Sequence, residues 1–73
     1  MTSLNPLKKV GKQIQECIEL HQGLKGAVAK KATLQILEKV GIPYPEMRYN
    51  QYPHEFSGGM RQRVVIAIAV ACR

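Results

Sequence analysis

Apolar positions recur along this chain at helical intervals. Val10, Ile14, Cys17, Ile18 and His21 fall at the i, i+4, i+7, i+8, i+11 spacing of one helix face, with Lys12, Glu16 and Glu19 mainly opposite. This predicts a helix from about Val10 to His21, broken by Gly23 and Gly26. A second stripe, Val28, Ala32, Ile36, Leu37 and Val40, predicts a helix from Ala27 to Val40. Gly41 suits the left-handed position that closes a helix, Ile42 can fold back over the last turn, and Pro43 follows as a stop. Pro43, Pro45 and Pro53 bracket a connection with one short helical turn, Glu46 to Gln51, in which Pro45 suits the first position. Before all of these, Met1–Leu7 is loop-like, with a turn signal at Asn5-Pro6.

The last stretch, Gly58 to Arg73, differs in kind. Every residue from Val64 to Ala71 is apolar, so no face is left polar. A helix apolar all round is expected to be buried all round. The β-branched residues would also permit a buried strand, but a long run without a turn signal favours helix. Two amphipathic helices offer too little material to surround it, and it runs into Arg73 with no capping signal. The expectation is a piece of a longer protein, of all-α class: a small three-to-four-helix unit.

Composition narrows the choices. At 73 residues the chain is too short for two ordinary domains, a TIM barrel or a complete nucleotide-binding α/β fold. A chain of this size buries only about 60% of its unfolded surface, so its core is thin. Lys and Arg number 11 against 5 Asp and Glu, a net charge of +6. That charge, with the helix-turn-helix look of Ala27 to Pro43, makes a small basic helical nucleic-acid-binding module the alternative reading. Lys8, Lys9 and Lys12 are grouped, as are Lys30 and Lys31; against it, the other basic residues are scattered and interleaved with glutamates, and three Tyr and one Phe form no base-stacking platform. No nucleic-acid partner is therefore expected. A helical adaptor docking through Val64–Ala71 is a third option.

The remaining singular residues add little. Cys17, Cys72, His21 and His54 have no metal-site spacing, so no metal ligands are expected. One disulfide is possible; with no signal peptide in the sequence a reduced setting is favoured, and both cysteines are expected to be small buried apolar groups. His21 is expected to be partly buried at its helix end, Tyr44, Tyr49 and Tyr52 to pack on the helices, and Lys8, Lys9 and Lys12 to form a solvated face. The longest apolar run, Val64 to Cys72, falls short of the ~20 residues a membrane span needs.

Candidate chemistry gathers in Tyr52-Pro53-His54-Glu55-Phe56-Ser57-Gly58-Gly59-Met60-Arg61-Gln62-Arg63. Ser57 is a good N-cap for the last helix. The free amides of a first turn point outward, at the positive end of the helix dipole. Gly58 and Gly59 let an anion approach the backbone without a Cβ in the way, Ser57 adds a hydroxyl, and Arg61 and Arg63 raise the local potential. The pattern suits a phosphate group. A plain N-cap followed by a flexible turn is the other reading of these residues alone.

This segment closely resembles the signature motif of ABC transporter ATPases, in the form found in oligopeptide and dipeptide importers. The family pattern Leu-Ser-Gly-Gly-Gln stands here as Phe56-Ser57-Gly58-Gly59-Met60. Phe56 and Met60 depart from the general consensus, and Met60 removes a side-chain amide that could help hold nucleotide. The peptide-importer branch often carries Met there after Pro-His-Glu, as Pro53-His54-Glu55 stands here. The resemblance extends over nearly the whole chain: Met1-Thr2-Ser3-Leu4-Asn5-Pro6 and the rest of segment 1–9 look like the stretch after the Q-loop glutamine. Val40-Gly41-Ile42-Pro43 resembles a helical-subdomain turn, and 58–73 resembles the signature helix.

The resemblance implies the α-helical subdomain of an α/β P-loop ATPase. Ser57, Gly58, Gly59 and Met60 would meet the γ-phosphate of ATP bound in trans on a second ATPase subunit, in a homo- or heterodimer. Arg61 and Arg63 would add supporting charge, and His54 and Glu55 would couple to transmembrane permease subunits. The Walker A loop, the Walker B aspartate, the catalytic glutamate and the switch histidine are not in this sequence, so no catalytic residue is expected here and Mg²⁺ would be held elsewhere. The resemblance implies a peripheral protein at the cytoplasmic face of the membrane, powering import of oligopeptides, dipeptides or nickel. Alone, the piece is expected to self-associate, or to repack, to hide Val64–Ala71.

Overall fold

A computed structural model describes residues 4–72. Four α-helices and one 3₁₀ turn follow in order: α1 Val10–Gln22, α2 Gly26–Lys39, α3 Pro45–Tyr49, the turn Pro53–Glu55, and α4 Gly58–Ala71. No strand occurs among the described residues, and none of the helices is long and apolar enough to cross a membrane. The all-α expectation holds. Met1–Ser3 and Arg73, expected in the entry loop and at the end of the last helix, lie outside the described residues.

The core is built from one stripe per long helix. Val10, Ile14 and Ile18 of α1 are fully buried, as their spacing predicts. They meet Ala29 and Leu37 of α2 and Val64, Ala67, Ile68 and Ala71 of α4, with Ile42, Tyr49 and Phe56 filling between. Burying side chains of this size contributes about 1.5–3 kcal/mol each for the larger ones.

In α2 the buried line is Ala29, Thr33 and Leu37, and Val28 stands 59% exposed. The expected stripe is therefore rotated. Small residues at 29 and 33 allow close helix approach, and the buried Thr33 hydroxyl is satisfied by donating to Ala29 O at 2.9 Å. Ala32, Ile36 and Val40 pack at the edge of the core.

The ends are set locally. α2 closes with Gly41 at φ 89°, Ile42 N on Leu37 O and Gly41 N on Glu38 O, both at 3.0 Å. This is the paired-bond helix stop in which a residue past the glycine folds onto the last turn; Ile42 and Leu37 both lie in the core. Pro45 opens α3 at its first position. α1 has no side-chain cap; Val10 N instead takes Gln51 O at 2.8 Å.

Two glutamines occupy the buried side of α1. Gln13 receives Asn5 N at 2.9 Å and donates to Asn5 O and Lys8 O at 2.8 and 2.9 Å. The Asn5 turn itself closes through Leu7 N to Asn5 Oδ1 at 2.9 Å. Gln15 accepts from the Tyr49 hydroxyl, and the Tyr49 ring lies directly over Gly11.

Several expectations on single residues are corrected. His21 is exposed, because the buried stripe of α1 ends at Ile18, and it stands in the last turn of that helix. Tyr49 is buried and Tyr52 partly so, but Tyr44 is 70% exposed. Cys17 is half-buried and Cys72 exposed, because Cys72 sits at the C-cap of α4, past the last core residue Ala71. α4 is not buried all round: α1 and α2 cover one face, leaving Ile66 and Ala69 in solvent.

Candidate functional site

The approach to α4 alternates inward and outward residues. Pro53 and Phe56 are buried, while His54, Glu55 and Ser57 are exposed. Phe56 is further held by the Arg48 guanidinium, 5.7 Å from its ring centroid. These two anchors present the segment between them and aim the start of α4 outward. Sequence reasoning did not single out Pro53, Phe56 and Arg48 for this task; the near-regular spacing of Pro53 and Phe56 around a polar pair was the available signal.

Ser57 is the N-cap, its Oγ accepting from Met60 N at 3.2 Å. The first backbone bond of α4 runs from Arg61 N to Ser57 O at 2.9 Å. The amides of Gly58 and Gly59 thus precede the helical ladder, as first-turn amides do. No acidic residue lies in that first turn to offset the positive end of the helix.

The glycines themselves are informative. A Cβ built on Gly58 or Gly59 would meet nothing within 4 Å, and neither has the left-handed φ that favours glycine. Glycine costs about 0.5–1 kcal/mol against alanine in a helix. Nothing in this chain's own packing calls for that cost at two successive positions. What two bare Cα atoms do supply is an open backbone surface with two outward amides, a shape that suits a phosphate oxygen.

The neighbours divide. Met60 is partly buried and packs against the core, which anchors the first turn. Arg61 Nε donates to Phe56 O at 3.2 Å, tying the turn before Ser57 to the turn after it. Arg63 Nη1 donates to Gly41 O at 2.9 Å; the guanidinium thus secures the end of α2. His54 stacks on Tyr52, ring centroids 6.0 Å apart and 12° from parallel. Glu55 Oε2 accepts from Tyr52 N at 2.8 Å, closing the turn. The structure therefore brings Ser57, Gly58, Gly59 and Arg61 to one exposed helix start, with His54 and Glu55 on the turn before it. Among the described residues, no cluster of His, Cys, Asp and Glu has a metal-holding arrangement.

A family model described as ABC transporter matches residues 2–73. The chain belongs to the ABC transporter family. It is 63% identical over 71 residues to the oligopeptide transport ATP-binding protein OppD of Bacillus subtilis, covering 97% of this chain and 20% of that protein. It is 55% identical over 73 residues to the dipeptide transport ATP-binding protein DppD of Haemophilus influenzae, covering all of this chain and 22% of that one. The peptidoglycan transport ATP-binding protein YejF of Agrobacterium fabrum is 58% identical over 73 residues, 13% of its length. The chain thus spans about a fifth or less of the curated relatives it matches. In this ABC transporter chain, the packing makes no use of the bare Cα atoms of Gly58 and Gly59.

Proposed function

We propose that this chain is the helical, signature-bearing part of the ATP-binding subunit of an ABC importer for peptides. The observation that carries the reading is the pair Gly58-Gly59, bare and open at a capped helix start inside a family match of nearly full length. The amides of Gly58 and Gly59 and the Ser57 hydroxyl would meet the γ-phosphate of ATP held by a second ATPase subunit. ATP supplies the transferable phosphoryl group, and Mg²⁺ would be held by the rest of the subunit.

The work of these residues is positioning and charge stabilisation, which phosphoryl transfer chiefly requires. Ser57 Oγ keeps Met60 N occupied, so the hydroxyl hydrogen stays free to donate. Gly58 and Gly59 present two more donors with no side chain to keep an oxygen away. Met60 packs inward and leaves the surface open. Arg61 adds positive charge nearby, while Arg63 serves mainly to hold the Gly41 turn.

His54 and Glu55 lie on the turn that leads into this surface, where a permease subunit's movement would be felt at Ser57. The subunit would sit peripherally at the cytoplasmic face of the membrane. Oligopeptide and dipeptide transport are named for OppD and DppD above, and peptidoglycan transport for YejF; oligopeptide, dipeptide or nickel cargo would be chosen by other subunits. The test is Ser57→Arg in the full-length ATP-binding subunit. ATP turnover is expected to be lost while ATP binding persists; undiminished turnover overturns the reading.

A further inference from the structure

The residue before its cap sets how α4 begins. Phe56 precedes Ser57 and is only 3% exposed. A buried apolar residue at that position fixes the angle at which the chain enters a helix. The Phe56 backbone is held on both sides: its N donates to Pro53 O at 3.0 Å, and its O accepts from Arg61 Nε at 3.2 Å. Over the ring lies Arg48, its guanidinium carbon 5.7 Å from the centroid. Arg48 Nη1 donates to Gln51 Oε1 at 2.8 Å, and Gln51 O accepts from Val10 N at 2.8 Å. One arginine thus stands between the start of α1 and the residue that leads into α4.

A charge at 48 does not serve packing. Arg48 is half-buried, and its Nε is buried without an acceptor among the described residues. The one ion pair among those residues is Lys8 with Glu16, so no carboxylate offsets the burial of the guanidinium. An apolar side chain of similar volume would fill the place as well or better. What arginine adds is a flat cation over the face of one ring, and a donor for Gln51.

We propose that Arg48 is a positioning residue for the Ser57-Gly58-Gly59 surface. The inference rests on the reading of that surface given above and adds a residue to it. Arg48 acts through Phe56 and not on the phosphate: it holds the ring, the ring sets the entry angle of α4, and that angle sets where the Ser57 hydroxyl and the two glycine amides point. Phosphoryl transfer depends on donors placed where charge develops, and a misplacement of about 1 Å can cost ~100-fold in rate. Losing Arg48 therefore falls on turnover and not on ATP affinity, because ATP is held by the second subunit whether or not these donors are in place.

The test uses the full-length ATP-binding subunit, with Ser57→Arg beside it as the control for the surface itself. Arg48→Ala should lower kcat by ~10-fold or more and leave KM for ATP within about 2-fold. Arg48→Lys, which keeps a cation for the ring, should recover turnover to at least ~3-fold above alanine; Arg48→Gln, neutral but able to hydrogen-bond, should stay with alanine. In Arg48→Ala, amide exchange should rise by about 10-fold at Phe56 and Met60, whose amides are bonded to Pro53 O and Ser57 Oγ. Exchange from Ile14 to Ile18 in α1 should not change. Turnover of Arg48→Ala within about 2-fold of the parent, with Ser57→Arg inactive, overturns the proposal and leaves the reading of the surface standing. Turnover that survives Ser57→Arg overturns both. Loss of ATP binding or helix content in Arg48→Ala, glutamine matching lysine, or exchange that rises equally in α1 also overturns the proposal, since Arg48 would then serve the fold and not the site.

Discussion

Replacing Gly11 by alanine should destabilise this protein, although the same change at an open helical site would stabilise it. Gly11 lies in the first turn of α1 beneath the Tyr49 ring. A Cβ there would sit 2.1 Å from Tyr49 Cδ2 and 2.2 Å from Cγ, well inside van der Waals contact, so the ring must move. It is not free to swing. Its hydroxyl is held by Gln15, its ring is buried, and the Lys30 ammonium lies 5.1 Å from its centroid. Overpacking of this kind costs about 1–3 kcal/mol, and leaving buried Gln15 without its partner costs about 1–3 more. The intrinsic gain of alanine over glycine returns about 1 kcal/mol. The net expectation is a loss of about 1–5 kcal/mol, centred near 3, a large share of the ~4–11 kcal/mol expected for a chain of this length. In thermal unfolding followed by far-ultraviolet circular dichroism, the midpoint should fall by about 10–20 °C. The Gly11→Ala, Tyr49→Ala double variant should lose clearly less than the sum of the two single changes, because the ring that blocks the methyl is gone. A Gly11→Ala chain as stable as the parent, or strictly additive costs, would refute the reasoning.

Three further outcomes are expected. Ser57→Ala removes the N-cap of α4 and should cost about 1 kcal/mol in urea unfolding, with Ser57→Asp largely restoring it. Stability should fall with rising pH above about 9. The folded chain holds the Cys17 proton more tightly than the ordinary thiol value of 9.0, up to about 11, and burial and Glu19 likewise raise the Tyr49 phenol. The stabilisation from the Cys17 proton is whole below pH 9 and is lost as the pH climbs through about 11, the Tyr49 phenol adds to the decline above its ordinary value of 10.0, and Cys17→Ala should make the decline shallower. The Ile66 face of α4, apolar and open, should drive concentration-dependent self-association in analytical ultracentrifugation; Ile66→Lys should shift the chain toward monomer with little change in helicity.

What was legible in the sequence was whatever neighbours within one or two turns decide. The Val10, Ile14, Ile18 stripe, the Ser57 cap, the Pro45 start and the Gly41 stop with Ile42 folded back all stand in the structure because each is set by residues at most five apart. What escaped depends on distant partners. Gln15 is buried because Tyr49, 34 positions away, satisfies it. Arg63 reads as local charge for Ser57 until Gly41 O, 22 positions away, claims it. The rotation of α2 onto Ala29 and Thr33 follows from how closely two helices can approach, which periodicity alone does not encode. The candidate site shows the same division: Ser57-Gly58-Gly59 was visible as a string, whereas its aim rests on Pro53, Phe56 and Arg48.

The three bonds of Gln13 to Asn5 and Lys8 have a consequence for cleavage. Lys8 and Lys9 are exposed and offer trypsin two adjacent sites ahead of the first helix. A protease must draw its substrate into an extended strand, which here would require releasing the segment from a glutamine that grips it at both ends. Exposure alone therefore overstates the vulnerability of this region. Cutting at Lys8 and Lys9 is governed by a local opening equilibrium, and the side chain that sets that equilibrium lies downstream of both scissile bonds.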